Sequence, residues 1–129
     1  VTGGVMNVFN GASVTGNGAI NVSGAGSMLN ASGTVGGGAA AIVLSNGGVL
    51  EGGHYDPATP TNSYGGTVHG GVTVNSGGVL AAGNSVGTLT IDGSQAVGGV
   101  SLTLNAGAVI NFEFRNVSGT TPGTDCTNG

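Results

Sequence analysis

The sequence predicts an all-β solenoid, a fold in which short strands coil into stacked turns around one core. Its 129 residues include 30 Gly and 38% hydrophobic residues but only 5% charged residues, which is far from a globular average. Val, Ile, Leu and Thr occur in short runs separated by Gly-Gly, Gly-Asn and Asn-Gly pairs, a pattern typical of short strands joined by tight turns. A nine-residue motif also recurs along the chain, which is the usual sign of a repeat architecture.

The recurring motif has apolar residues at its first and third positions, then two turn-prone residues, and a further apolar residue at its end. Six copies begin at Met6, Ile20, Ile42, Val72, Leu89 and Leu102. Alternation of apolar and polar residues indicates a strand with one buried face. A unit this short cannot bury that face alone, so the copies are expected to stack on a continuous core. Six stacked rungs would form a rod about 29 Å long at about 4.8 Å per rung.

The third residue of each copy is predicted to point into the core, above its equivalent in the neighbouring rung. These residues are Val8, Val22, Leu44, Val74, Ile91 and Leu104. The copies at Ile42 and Val72 also share Gly-Gly pairs, Gly47-Gly48 and Gly77-Gly78, at identical places. A corner is expected there because Gly adopts positive φ without a Cβ penalty.

Residues 51–71 are predicted to form one inserted loop that leaves the solenoid. The segment contains both His, both Tyr and two of the three Pro, and loops on a rigid scaffold commonly carry binding residues. The candidate contacts for a partner or glycan are therefore His54, Tyr55, Tyr64 and His69. Packing of the Tyr rings over the rod is the alternative. His54, Asp56 and His69 could be drawn as metal ligands, but their spacing matches no tight zinc signature, so no metal or cofactor is expected.

The charge inventory excludes several function classes. The formal net charge is -4 and Arg115 is the only Lys or Arg, which argues against nucleic acid and against anionic membrane surfaces. No apolar run approaches the roughly 20 residues of a membrane-spanning helix, so direct membrane insertion is not expected. Cys126 is the single Cys and cannot form an internal disulfide. The few carboxylates are scattered along the sequence, so no catalytic site is expected.

One stretch resembles a known family. Residues 79–91 read VLAAGNSVGTLTI, in which a Gly83-Asn84-Ser85 turn leads into the strand Gly87-Thr88-Leu89-Thr90. This pattern is similar to the passenger-associated repeat of type V autotransporters, and residues 20–35 and 102–114 resemble related rungs of such passengers. The resemblance implies a right-handed parallel β-helix with short irregular rungs, exported across the outer membrane to the bacterial cell surface by a C-terminal β-barrel. Residues 1–129 would then be a single solenoid segment of a longer passenger.

The composition, the repeats and the resemblance together give three function hypotheses. The leading one is a non-catalytic structural or adhesive segment of an exported bacterial surface protein, with a host-surface or glycan ligand. The alternative is a subunit of an extracellular fibre or sheath that stacks on its own copies, end to end or laterally, because exposed strand edges are templates for pairing. The third is a β-helical enzyme acting on glycans, which the scattered carboxylates disfavour.

Overall fold

The computed structural model describes residues 1–36, 41–53, 64–83 and 87–112. Within these ranges the chain forms thirteen short strands and one 3-10 turn at Val97–Gly99. The strands are β1 (Val5–Val8), β2 (Ser13–Val14), β3 (Ile20–Ser23), β4 (Met28–Ala31), β5 (Thr34–Val35), β6 (Ile42–Ser45), β7 (Val49–Glu51), β8 (Gly65–Val68), β9 (Val72–Val74), β10 (Val79–Ala81), β11 (Thr88–Ile91), β12 (Leu102–Leu104) and β13 (Val109–Asn111). No helix within the described residues has the length and apolar character needed to cross a membrane.

The strands form three parallel sheets that the chain visits in a fixed order. Sheet 1 contains β1, β4, β7, β10 and β13, sheet 2 contains β2, β5, β8 and β11, and sheet 3 contains β3, β6, β9 and β12. Every pairing between these strands is parallel. The chain therefore coils from sheet 1 to sheet 2 to sheet 3 and then starts the next turn. This arrangement confirms the predicted all-β parallel β-helix.

The number of rungs differs from the sequence prediction. Sheet 1 has five strands, and the other two sheets have four each. The described strands thus make four full turns and the first strand of a fifth, with a height of about 19 Å at about 4.8 Å per strand. Six rungs were expected because the motif matches strands on all three sheets. Four copies begin on sheet 3, whereas the copies at Met6 and Leu89 lie on sheets 1 and 2.

The core is built from ladders of aliphatic side chains that point inward from the three sheets. In sheet 3, Val22 pairs with Leu44 and Leu44 with Val74, and all three are fully buried. Leu29, Leu50 and Leu80 form the corresponding ladder in sheet 1, and Val35 and Val68 in sheet 2. Each residue covers its neighbour in the next turn, so burial is continuous along the axis.

Two predicted core residues are not equivalent to the others. Val8 is buried but lies in sheet 1 opposite Ala31, and Ile91 lies in sheet 2 opposite Val68. Leu104 does continue the sheet 3 ladder above Val74, but 47% of its surface is exposed. The reason is its place in β12, which has a paired strand on one side only among the described residues. The prediction that Leu104 is buried is therefore wrong.

The corner between sheet 3 and sheet 1 is a β-turn that recurs in every turn of the coil. Its third residue is Gly26, Gly47, Gly77 or Gly107, with φ between 72° and 88°. The Gly47 amide donates to the Gly77 carbonyl at 2.7 Å and the Gly77 amide to the Gly107 carbonyl at 2.8 Å, so the corners stack on one another. The second Gly of each pair has another role, because a Cβ at Gly48 would overlap the Val22 carbonyl oxygen.

The predicted inserted loop, residues 51–71, is wrong at both ends. Glu51 is the last residue of β7, and residues 65–68 form β8, which pairs with β5 on one side and β11 on the other. Val68 is fully buried in the core. This strand was not predicted from the sequence because it begins with two adjacent Gly residues, and Gly is depleted in strands and typical of loops. Gly66 is needed there because a Cβ would overlap the Ala31 carbonyl oxygen.

Candidate functional site

The structure describes two of the four residues predicted from the sequence as partner contacts, and these two do not lie at one site. His54 and Tyr55 lie outside the described residues. Tyr64 precedes β8 and His69 follows it, so the two are separated by about 16 Å at the rise of about 3.3 Å per residue of a parallel strand. Tyr64 and His69 therefore lie at opposite ends of β8, and each has its own surroundings.

Tyr64 lines an open groove where the strands of sheet 1 end and the chain turns toward sheet 2. The groove has a volume of about 460 Å³ and is lined by Asn7, Val8, Phe9, Asn10, Asn30, Ser32 and Tyr64. These residues come from three successive turns of the coil. Binding clefts for small ligands commonly have volumes of about 300–1,000 Å³, with aromatic walls and a few polar groups. We refer to it as the Asn-aromatic groove.

The polar side of the groove is set by strand register. Asn7 in β1 pairs with Asn30 in β4, so the two amides lie side by side on the outer face of sheet 1, one strand spacing apart. The Ser32 hydroxyl donates a hydrogen bond to Asn30 Oδ1 at 3.0 Å, which orients the amide group. Asn30 Nδ2 then points its two N–H donors away from that bond. The register of two strands thereby creates a row of neutral donors and acceptors.

The aromatic side of the groove depends on a tight backbone turn. Phe9 follows β1, and its carbonyl accepts a hydrogen bond from the Ala12 amide at 2.9 Å. The backbone of Gly33 packs beneath this turn, where a Cβ would overlap the carbonyl oxygens of Phe9 and Ala12. Phe9 itself is 70% exposed, while Tyr64 is half-buried. Folding thus leaves one large ring in solvent at the edge of the groove and fixes a second in its wall.

His69 takes part in a second polar cluster, at the corner between sheet 2 and sheet 3. Its Nδ1 lies 2.6 Å from Asp92 Oδ2, and about a third of each side chain is exposed. The other carboxylate oxygen, Asp92 Oδ1, accepts hydrogen bonds from the Ser94 amide at 2.9 Å and the Ser94 hydroxyl at 2.8 Å. These two Ser94 bonds lower the pKa of Asp92 below its usual value of 3.8; burial opposes them, and His69 adds a smaller lowering effect.

The metal alternative obtains no support from the placement of His69. His69 pairs with Asp92, whereas the other two residues of the drawn set, His54 and Asp56, lie outside the described residues. In the described ranges, no group of three or more His, Cys, Asp or Glu is placed to hold a metal ion. The cluster formed by His69, Asp92 and Ser94 instead joins two successive turns, because β8 and β11 are neighbours in sheet 2.

Sequence reasoning found Tyr64 but missed the rest of the Asn-aromatic groove. Asn7, Phe9 and Asn30 were not identified because they lie far from Tyr64 in the sequence. One signal could have found the amide pair. The strands VMNV at residues 5–8 and MLNA at residues 28–31 both have Asn at their third position, and alignment of the two would have placed Asn7 beside Asn30.

Comparison of the chain with protein-family models, with curated proteins and with solved structures found no match. The function proposed for the chain therefore depends on its own geometry, its surface chemistry and the sequence pattern.

Proposed function

We propose that the chain is a non-catalytic structural and adhesive segment of an exported bacterial surface protein, similar to an autotransporter passenger stalk. The observation that carries this proposal is the stacked three-sheet coil, in which one core and a recurring corner continue from turn to turn. Such a scaffold is extended by adding turns, so its outer surface grows with its length. A coil of this kind suits projection of a binding surface away from a cell.

The outer surface also suits an exposed extracellular location. Neutral polar side chains stack on it in pairs between turns. Ser45 Oγ donates to Ser23 Oγ at 3.2 Å, and Asn105 Nδ2 donates to Asn75 Oδ1 at 2.8 Å. Residues 79–91, which resemble the passenger-associated repeat, supply β10 and β11 of the coil. Export across the outer membrane is proposed on that resemblance.

The adhesive function can be tested with beads that carry the purified chain. We expect such beads to be retained on bacterial or host cell layers, or on immobilised polysaccharide, several-fold more than beads coated with albumin. Retention equal to that of albumin on every surface would contradict an adhesive function. Resistance of the purified chain to proteinase K provides a second measurement. Trypsin is uninformative because Arg115 is its only cleavage site in the sequence.

The non-catalytic part of the proposal is supported by the position of the acidic groups. Among the described residues, Glu51 lies at the end of a sheet 1 strand, whereas Asp92 follows a sheet 2 strand and is engaged by Ser94 and His69. Acid and base catalysis on glycans uses two carboxylates on one site. Incubation of the chain with polysaccharides, followed by a reducing-sugar assay, should show no release, and measurable turnover would overturn this part of the proposal.

Self-assembly into a fibre is a second candidate because the last described turn exposes apolar side chains. Leu102, Ile110 and Phe112 are exposed around an apolar cleft of about 230 Å³, and Leu104 in the same turn is exposed as well. An uncovered end of a parallel coil offers both apolar surface and free strand edges to a second copy. Electron microscopy of the purified chain distinguishes the candidates, since filaments support assembly and uniform short particles support a stalk segment.

A further inference from the structure

The Asn-aromatic groove combines two kinds of side chain that suit a ligand with many hydroxyl groups. An amide has both donors and acceptors, and a sugar hydroxyl also donates and accepts, so Asn7, Asn10 and Asn30 can pair with adjacent hydroxyls. The rings of Phe9 and Tyr64 offer flat apolar surface to the C–H face of a pyranose. The spacing of about 4.8 Å between the strands that carry Asn7 and Asn30 is close to the size of one sugar ring.

The charges around the groove favour a neutral ligand over an anionic one. None of the residues that line it is charged. The nearest acidic group in the strand ladder is Glu51, which pairs with Asn30 in the next turn, and the only Lys or Arg of the whole chain is Arg115. A sialylated or sulfated glycan would therefore meet repulsion from Glu51 without a compensating cation among the residues that line the groove. A neutral oligosaccharide meets no such penalty.

The groove is also prepared for binding before a ligand arrives. The Ser32 hydroxyl holds the Asn30 amide by a hydrogen bond, and the Ala12 amide fixes the Phe9 carbonyl in a turn. Only Gly fits at position 33 beneath this turn, because a Cβ there would overlap the Phe9 carbonyl oxygen. Groups that are already positioned lose less conformational entropy when a ligand binds. The exposed ring of Phe9 stands beside these groups rather than alone on the surface.

We propose that the Asn-aromatic groove binds a neutral oligosaccharide, with Asn7 and Asn30 pairing to its hydroxyls and Phe9 and Tyr64 packing on its rings. This inference deepens the adhesive function proposed above by naming the ligand class and the residues that recognise it. The open shape of the groove and the small number of contacts give an expected dissociation constant on the order of 1 mM for a single site. Many copies on one surface would raise the apparent affinity.

The test is a titration of the intact chain with neutral oligosaccharides of glucose, galactose, mannose and N-acetylglucosamine, alongside sialylated and sulfated forms. The chain has two Tyr and no Trp, so in a Tyr55→Phe variant the tyrosine fluorescence comes from Tyr64 alone. We expect at least one neutral oligosaccharide to change this signal with saturation, and the acidic forms to bind more weakly. Tighter binding of the acidic forms, or no saturable change with any neutral sugar, would overturn the proposal.

Matched variants separate the groove from the rest of the surface. Phe9→Ala and Asn30→Ala should each weaken binding by about tenfold, since each removes a direct contact. Phe112→Ala is the control for Phe9, because the two rings are 69% and 70% exposed. Asn105→Ala, directly after β12 and away from the groove, is the control for Asn30. Melting curves of all four variants check that each of them folds. Equal losses in the groove variants and in the controls would contradict the assignment.

The bead assay keeps the two proposals distinguishable. Adhesion that persists in Phe9→Ala and Asn30→Ala, without sugar binding by the wild-type chain, would leave the adhesive function standing and remove the groove. Sugar binding in solution without bead retention on any surface would leave the groove proposal standing and remove the adhesive function. Loss of both sugar binding and retention in the groove variants alone would support the two proposals together.

Discussion

Glycine has two separate physical roles in this chain, and they are visible in one corner pair. Gly47 adopts a φ of 88°, in the left-handed region that L side chains rarely occupy. Gly48, the next residue, has no positive φ but faces the backbone of the previous turn, so its missing side chain allows two turns to approach closely. Among the described residues other than Gly, Asn46 alone has a positive φ, at 51°. Asn is one of the few residue types that tolerate this conformation.

Gly48→Ala should strongly destabilise the coil. The added Cβ would overlap the Val22 carbonyl oxygen, and backbone atoms can yield only by separating two turns. We expect the free energy of unfolding to fall by about 2–4 kcal/mol, measured by thermal or urea denaturation. Gly4→Ala is the control, because no atom lies within 4 Å of its added Cβ, and it should change stability by less than about 0.5 kcal/mol. Equal effects of the two variants would contradict the close approach.

Leu44→Ala and Leu104→Ala should differ although both residues belong to one ladder. Leu44 is fully buried between two turns, so its truncation should cost about 2–5 kcal/mol through lost burial and a cavity. Leu104 is 47% exposed and covered on one side only, so its truncation should cost about 1 kcal/mol or less. Urea denaturation of the two variants checks this difference. A larger cost at Leu104 would show that its inner face is buried in solution.

Asp92 should make the coil less stable in acid. Its pKa in the folded chain is lowered, first by the hydrogen bonds from Ser94 and to a smaller extent by His69. A group with a lowered folded pKa stabilises the fold above its unfolded pKa, here about 3.8, and loses that contribution as the pH falls through the folded value. Asp92→Asn should therefore reduce the loss of melting temperature between pH 5 and pH 2 relative to wild type. Identical pH profiles would contradict the role of Asp92.

At the scale of the elements, β8 shows why the predicted loop can be shortened but not removed. Its Thr67 and Val68 pair with Thr34 and Val35 below and with Thr90 and Ile91 above. Deletion of this strand would leave an interior gap in sheet 2. The backbone of Gly53 lies against the carbonyl group of Tyr64, so the two ends of the intervening segment are already in contact.

Replacement of residues 54–63 by a short Gly-Ser linker should leave the β structure intact. The ends to be joined are adjacent, and a shorter loop costs less entropy to close. Replacement of residues 51–71 by the same linker should abolish cooperative unfolding, because it removes β8 and the end of β7. Far-ultraviolet circular dichroism and thermal melts measure both outcomes. A folded chain after the longer replacement would show that sheet 2 tolerates a missing strand.

The strands most difficult to predict were those of sheet 2. β2 and β5 contain two residues each, which is too short to show an alternating pattern, and β8 begins with two Gly. The strands of sheet 3 were predictable because all four begin with the pattern apolar, any, apolar shortly before a turn. Alternation identifies a strand with one buried face, but it does not say which sheet receives the strand. The equivalence of Val8 and Ile91 with Val22 was wrong for this reason.

For the whole molecule, the sequence predicted the architecture but only part of the candidate groove. Stacking follows from local patterns, since each strand must bury one face and each corner needs Gly. The groove depends on which turns are neighbours, and turn length varies. Met28 lies 21 residues before its partner Val49, whereas Val49 lies 30 residues before Val79. Tyr64 was found by its residue type, but its neighbours Asn7 and Asn30 become visible only once the register is known.

The direction of the hydrogen bonds between turns has a mechanical consequence. These bonds run along the axis of the coil, from β1 through β4, β7 and β10 to β13 in sheet 1. Tension applied to the chain ends would load them one turn at a time rather than in shear across the whole sheet. Each turn that yields would release about 30 residues in the later part of the coil, or roughly 100 Å of extended chain. Under tension, such a coil would therefore lengthen in steps, while the turns that remain folded keep their hydrogen bonds.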